Sequence, residues 1–333
     1  MILQHPLLSG KALPFVPAET WGSTFLKGTP CHRTPRPNGK LIILEAGDYK
    51  ATAATVGAGL VNLSFRGKDI VLPFPADDLP PAYAGKVLMP WPNRVAGGAY
   101  SFRGQRYELP VNEAATGSAL HGLALWNAWQ VEQRSQADVV FTHLLHGEPG
   151  YPFQLALSAR YTLDAETGLH VELAATNCGT AAAPYGTGSH PYITVGGEDV
   201  SNCELSFRAG KVLLTDEKLQ PTELLDTHGT DFDFSDLRML ASQSLDHAFT
   251  NLPEGKWDVT LRNPDLQLSA VVEASGTDAP WLQLYSGELR GRKGLAVEPM
   301  TCPPDAFNSG HDLVVLEAGQ THSLTFRVHA VEG

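Results

Sequence analysis

An imidazole set among glycines and a carboxylate that closes an apolar run are the residues of this sequence best suited to moving protons. His190 lies in Gly186-Thr187-Gly188-Ser189-His190-Pro191-Tyr192, and a second imidazole, His121, in Ala119-Leu120-His121-Gly122. Glycine lets backbone come close to a ligand, so each imidazole has room for one beside it. Glu298 stands in Gly294-Leu295-Ala296-Val297-Glu298-Pro299-Met300. A carboxylate there points into low dielectric or into a site, and burial without a partner is costly, which favours the site. With ordinary pKa values of about 4.3 and about 6.5, a glutamate and a histidine make a base and an acid near neutrality. The bland counterparts are packing histidines and a glutamate that ends a strand.

Two further stretches could hold a ligand. Arg94, in Met89-Pro90-Trp91-Pro92-Asn93-Arg94-Val95-Ala96-Gly97-Gly98, sits on a stiff loop, where a planar fork suits hydroxyls or a carboxylate. A structural Arg–carboxylate pair explains it equally well. Asp246 precedes His247 in Ser244-Leu245-Asp246-His247-Ala248-Phe249, and a turn-capping aspartate is the alternative. His121, His190 and His247 are a conceivable three-His metal site, but their spacing is no recognised ligand pattern, and no metal is expected. His143 and His146 fall on opposite faces of a strand and read as packing or solvent-facing residues. Gly-rich phosphate loops and the Gly-x-Ser-x-Gly elbow are absent, and no nucleotide or other cofactor is expected.

The elements that must carry these residues read as strands. Phe153, Leu155, Leu157, Ala159, Tyr161 and Leu163 are apolar at every second position; Asp164-Ala165-Glu166-Thr167-Gly168 turns the chain, and Leu169, Val171, Leu173 and Ala175 resume the alternation. The same pattern spans Tyr100–Leu109 across Arg103-Gly104-Gln105, and Trp257–Val272 across Asn263-Pro264-Asp265, and it marks Leu324–His329. Short strands with Gly and Pro turns predict a large antiparallel β-sandwich, with a turn of helix only at 76–84. Residues 1–40 are Pro-rich and read as an irregular arm on one domain spanning 1–333.

Composition narrows the partners. With 24 Lys+Arg against 36 Asp+Glu the net charge is −12, and this opposes nucleic acid or an anionic membrane surface, which need a basic stripe. No apolar run approaches the length of a membrane span. The first lysine is Lys11 and prolines stand at 6 and 14, so no secretory leader is expected. Four cysteines without a Cys-x-x-Cys pair read as free thiols in a reducing cytoplasm.

Taken in order, these stretches resemble the aldose 1-epimerase (galactose mutarotase) family from about Leu41 to the C-terminus. The landmarks are Pro92–Gly98, Leu120-His121-Gly122, Ser189-His190-Pro191-Tyr192, Pro221-Thr222-Glu223-Leu224 with Phe232-Asp233-Phe234, Leu245-Asp246-His247 and Val297-Glu298. The resemblance implies an antiparallel supersandwich with a sugar cleft on one face. It assigns His190 as general acid and Glu298 as general base. It places Arg94, His121 and Asp246 on the sugar, with Asn93 and Tyr192 beside them. The family often has Thr-Gln after the base and Asn-His-Ser-Tyr around the acid. This chain has Pro299-Met300 and Ser189-His190-Pro191-Tyr192, which point to a divergent subgroup. The implied partner is a free hexose or pentose, bound by a monomer or homodimer. The competing readings are a hexose-6-phosphate 1-epimerase, a glycoside hydrolase using Glu298 and Asp246, and a non-catalytic sugar-binding protein.

Overall fold

The predicted alternation becomes paired strands in the computed structural model, which describes residues 36–333. Leu155–Asp164 and Gly168–Asn177 run antiparallel with Leu163 opposite Leu169. The turn between them is held by Asp164, whose Oδ1 accepts the backbone N–H groups of Glu166 and Thr167. Leu155, Leu157, Ala159, Tyr161 and Leu163 are buried, while Ala156, Arg160 and Asp164 on the other face are exposed. Period two has sorted one face to the core.

These strands belong to a nine-stranded antiparallel sheet. Its order is Gln130–Arg134, Asp138–Leu145, Leu155–Asp164, Gly168–Asn177, Thr321–Glu332, Leu268–Ser275, Lys256–Asn263, Glu204–Phe207 and Arg238–Met239. A second sheet of twelve strands runs from Leu41–Ala46 and Tyr49–Ala54 at one edge to Lys211–Thr215 and Pro221–Asp226 at the other. Its middle strands are Tyr192–Ile193, Leu295–Met300, Trp281–Tyr285 and Asp246–Thr250, with Gly188–Ser189 and Val87–Leu88 as a short branch. One apolar core fills the space between the sheets and includes Leu157, Leu173 and Leu324 from one, and Leu282, Leu284, Leu295 and Val297 from the other.

The middle of the twelve-stranded sheet is covered on both faces, and the second face carries Glu298. Leu282 and Leu284 point to the core, so Trp281, Gln283 and Tyr285 point away from it. By the same alternation Ala296, Glu298 and Met300 share that outer face. Tyr192, Ala296 and Tyr285 belong to one small apolar cluster there, and Leu213, Ala248, Trp281 and Met300 to another. Gln283 and Glu298, register partners on neighbouring strands, lie between the two clusters.

Tyr100–Leu109 forms the expected hairpin, as a separate two-stranded ribbon pairing Ala99–Phe102 with Gln105–Glu108. Two local expectations need correction. The helical turn at 76–84 shrinks to a 3-10 turn at Pro81–Tyr83, because four prolines between Pro73 and Pro81 remove N–H donors. An α-helical turn at Ala306–Ser309 was not expected; it opens at Asp305 and stops at Gly310, which has φ 71°. The expected N-terminal arm falls largely outside the described residues. Among the described residues no helix is long and apolar enough to cross a membrane.

Candidate active site

His190 occupies the irregular link between the strands Gly188–Ser189 and Tyr192–Ile193. Its backbone N–H donates to the Lys86 carbonyl at 3.0 Å, and its carbonyl accepts from Gly85 at 2.8 Å. The imidazole stacks on Tyr192 with centroids 5.2 Å apart and meets His121 edge-on at 5.3 Å. Its Nε2 lies 3.4 Å from Oε1 of Glu298, and the two side chains are only 7% and 3% exposed. Glu298 Oε2 and His190 Nδ1 are buried without protein partners.

Burial governs the titration of this pair. It pushes His190 down to about 3 and raises the Glu298 carboxyl well above its ordinary value, with the nearby Asp246 charge adding to the rise and Arg94 opposing it. The ligand-free pair therefore holds one proton, on the carboxyl. The dry pocket disfavours any isolated charge, and Arg290 depresses His190 further.

Arg94 takes up the structural reading that the sequence allowed. Its Nε and Nη2 donate to the two carboxylate oxygens of Glu113 at 2.6 and 2.8 Å, so it has its structural carboxylate. Glu113 also accepts from the Thr116 hydroxyl. Arg94 also lines the same cleft as His190 and Glu298, and its Nη1 donates to Asn93 Oδ1 at 3.4 Å. The loop before it is fixed through Asn93, whose Oδ1 accepts from the Arg94 backbone at 2.9 Å. Asn93 and His121 lock each other: the Asn93 N–H donates to His121 Nδ1 at 3.1 Å, and the His121 N–H donates to the Asn93 carbonyl at 2.8 Å. Because Nδ1 accepts, the neutral imidazole carries its proton on Nε2. Burial lowers the His121 pKa well below its ordinary value. His121 has φ 65°, and at Gly122 a Cβ would lie 2.1 Å from the Met89 carbonyl, so glycine is required there.

Asp246 accepts from Gln283 Nε2 at 2.8 Å, leaving Gln283 Oε1 buried without a partner. Burial raises the Asp246 pKa, while Arg94 and the Gln283 hydrogen bond oppose the rise. All seven residues expected at the site, Asn93, Arg94, His121, His190, Tyr192, Asp246 and Glu298, line one cleft of about 270 Å³. Tyr83, Glu113, Gln283 and Tyr285 also line it and were not expected. His247 is not part of it: on the strand Asp246–Thr250 it faces the other way, its ring 4.7 Å from Phe232, and the three-His arrangement dissolves. His143 packs on Trp129, with ring centroids 5.6 Å apart, on the nine-stranded sheet. A larger hollow of about 530 Å³ lies over Arg160, His170, Glu273 and Arg327. Arg327 and Glu273 there pair with each other, so size alone does not mark the site.

The fold is an antiparallel supersandwich in which a buried imidazole–carboxylate pair faces a cleft. The chain belongs to the aldose 1-epimerase family, whose model matches residues 40–329. It is 44% identical over 292 residues to the uncharacterized protein YihR of Escherichia coli K12, covering 88% of this chain and 94% of that one. It is 28% identical over 235 residues to the galactose mutarotase of Rattus norvegicus, covering 64% and 66%. The crystal structure of an aldose epimerase homologue from C. elegans shares the fold with a TM-score of 0.79 at 21% identity, covering 88% of this chain and 99% of that one.

Proposed function

We propose that the protein is a mutarotase that interconverts the α and β anomers of a free aldose. The observation that carries this reading is the contact of His190 with Glu298 at the floor of a sugar-sized polar cleft. Anomerisation takes the proton from the C1 hydroxyl and adds one to the ring oxygen. The C1–O5 bond breaks as the C1 carbonyl forms, the C1–C2 bond rotates, and the hydroxyl at C5 re-adds to the other face. No electrons are transferred. A carboxylate and an imidazolium that share one proton give one and take one, so the pair is regenerated when the ring closes.

Glu298 serves as base and His190 as acid. The ligand-free pair is held neutral by burial, and the productive Glu298⁻/His190⁺ form is reached by moving the proton across their contact. Arg94 favours that form from the Glu298 side. Arg94, His121 Nε2–H, Asp246 and Gln283 supply directed donors and acceptors for hydroxyls, with Tyr192 and Asn93 shaping the wall. Each proton transfer contributes on the order of 10²–10⁴-fold. Polarimetry of freshly dissolved anomers of glucose, galactose, arabinose, xylose and fucose, with glucose 6-phosphate alongside, tests the reading. Catalysed relaxation of a free sugar is the expected result. Relaxation of the phosphate alone would move the substrate class, and no relaxation of any sugar would end the proposal.

A further inference from the structure

The wall that leads out of the cleft is aromatic. Tyr83 lines the cleft and meets His121 edge-on at 4.9 Å, and Trp126 lies next outward, 6.2 Å from Tyr83 between ring centroids. With His121 5.3 Å from His190, the rings form a continuous ladder from the acid–base pair to the surface. Trp126 is 45% exposed, whereas Trp91, Trp129, Trp257 and Trp281 are buried. It lies outside the cleft lining, one ring farther from the chemistry than Tyr83.

This exposed indole is held still. Lys86 is fully buried, its ammonium anchored on the Val56 carbonyl at 2.7 Å and placed 4.9 Å over the indole centroid. On one side of Trp126 the Leu125 carbonyl passes over Gly57, where a Cβ would lie 2.1 Å from it; Gly57 has φ 69°. On the other side the Asn127 carbonyl accepts from Gly57 N–H at 2.9 Å. A buried lysine placed against a surface ring, and a glycine that clamps the residues before and after it, give a rigid platform. Covering such a ring loses little conformational freedom, which is the condition for a preorganised binding surface.

We propose that Trp126 and Tyr83 form a second-ring subsite. It takes the apolar C–H face of a further pyranose, joined through a non-anomeric oxygen of the aldose in the cleft, so that the site accepts a reducing disaccharide. The polar side chains of the cleft match the hydroxyl-rich reacting ring, and the aromatic ladder leads outward from it to the exposed indole of Trp126. The inference rests on the cleft being an aldose site, and the test separates the two claims.

The binding arm uses the exposed indole itself. Acrylamide quenching of tryptophan fluorescence is compared between wild type and Trp126→Phe, the difference isolating residue 126. Maltose, cellobiose or lactose is expected to shield that component, while glucose and galactose at the same concentration leave it accessible. The kinetic arm compares kcat/KM for disaccharide and monosaccharide anomerisation in wild type, Trp126→Ala and Trp126→Phe. The disaccharide-to-monosaccharide ratio is expected to fall about 5-fold in Trp126→Ala, the scale of one aromatic contact, and to be largely retained in Trp126→Phe. Shielding by none of the three disaccharides, equal shielding by monosaccharides, or shielding that appears on raising protein concentration alone overturns the subsite. If disaccharides shield residue 126 while no sugar anomerises, the subsite stands and the mutarotase reading falls.

Discussion

His190 Nε2 and Glu298 Oε1 are 3.4 Å apart in a nearly dry pocket, and this makes the two side chains one titrating unit. Burial lowers the first and raises the second, so the folded pair holds a single proton across the whole range between their ordinary values of 6.5 and 4.5. Much of the behaviour expected of the protein follows from that count.

Stability should show a plateau bounded on both sides. Between pH 4.5 and 6.5 the unfolded chain also holds one proton for this pair, on the histidine, so the pair contributes no slope. Below 4.5 the unfolded chain binds two and the folded one still binds one, so stability falls as pH falls. Above 6.5 the unfolded chain binds none, and stability falls as pH rises. Urea unfolding of wild type minus the double variant Glu298→Gln/His190→Asn across pH 3.5–8.5 measures it; a difference with no bend in that range counts against a shared proton.

Replacing Glu298 by Gln keeps shape and removes basicity. Anomerisation should drop by about 10²–10⁴-fold, while sugar binding measured by calorimetry persists. A folded Glu298→Gln protein that turns over like wild type would remove Glu298 from the role of base.

The rate profile should follow the same proton count. Activity in kcat/KM should be lost at low pH, when the pair gains a second proton, and at high pH, when it loses its only one. Because burial lowers His190 to about 3, the acid limb should lie well below 6.5. His190→Asn should slow kcat strongly and abolish that limb. If the limb survives unchanged, His121 is the next imidazole to test.

Glu113 grips Arg94 through both carboxylate oxygens, which fixes the direction of the remaining guanidinium donors. Glu113→Gln should weaken sugar binding chiefly through KM, by up to about 1.5–3 kcal/mol if Arg94 swings away from the sugar. Arg94→Ala should do at least as much. A loss confined to kcat in either variant contradicts a positioning role.

Dialysis against a strong chelator should leave activity unchanged. Among the described residues no group of three or more His, Cys, Asp or Glu side chains is arranged to hold a metal. Rescue of a dialysed, inactive protein by zinc alone would overturn this.

The candidate site was readable where polar side chains interrupt period two. Glu298 breaks an apolar strand, and His121 and His190 sit beside glycines that the backbone needs, so their types and neighbours pointed to the cleft. Gln283 carries the same signal in Trp281-Leu282-Gln283-Leu284-Tyr285, a polar side chain on the face opposite two core leucines. Glu113 carries none: in Val111-Asn112-Glu113-Ala114 it is an ordinary loop residue until the fold brings Arg94 to it. The direction of the His190 shift was also out of reach. It depends on how completely Tyr192, His121 and the sheet exclude water, and a linear sequence does not record that.

Glu298 and Gln283 face each other on two inner strands that are paired along both edges, whereas Arg94, His121, Tyr83 and Trp126 project from loops and short links. Amides of Val297 and Glu298 should then exchange with deuterium only when the whole domain opens, while the segment from Ala82 to Gly85 exchanges through local openings. The strands that carry Glu298 and Gln283 are thereby stiffer than the rim, whereas His190, whose carbonyl accepts from Gly85, is tied to that rim. Loop exchange between relatives can reshape the rim without disturbing the strands that hold Glu298 and Gln283.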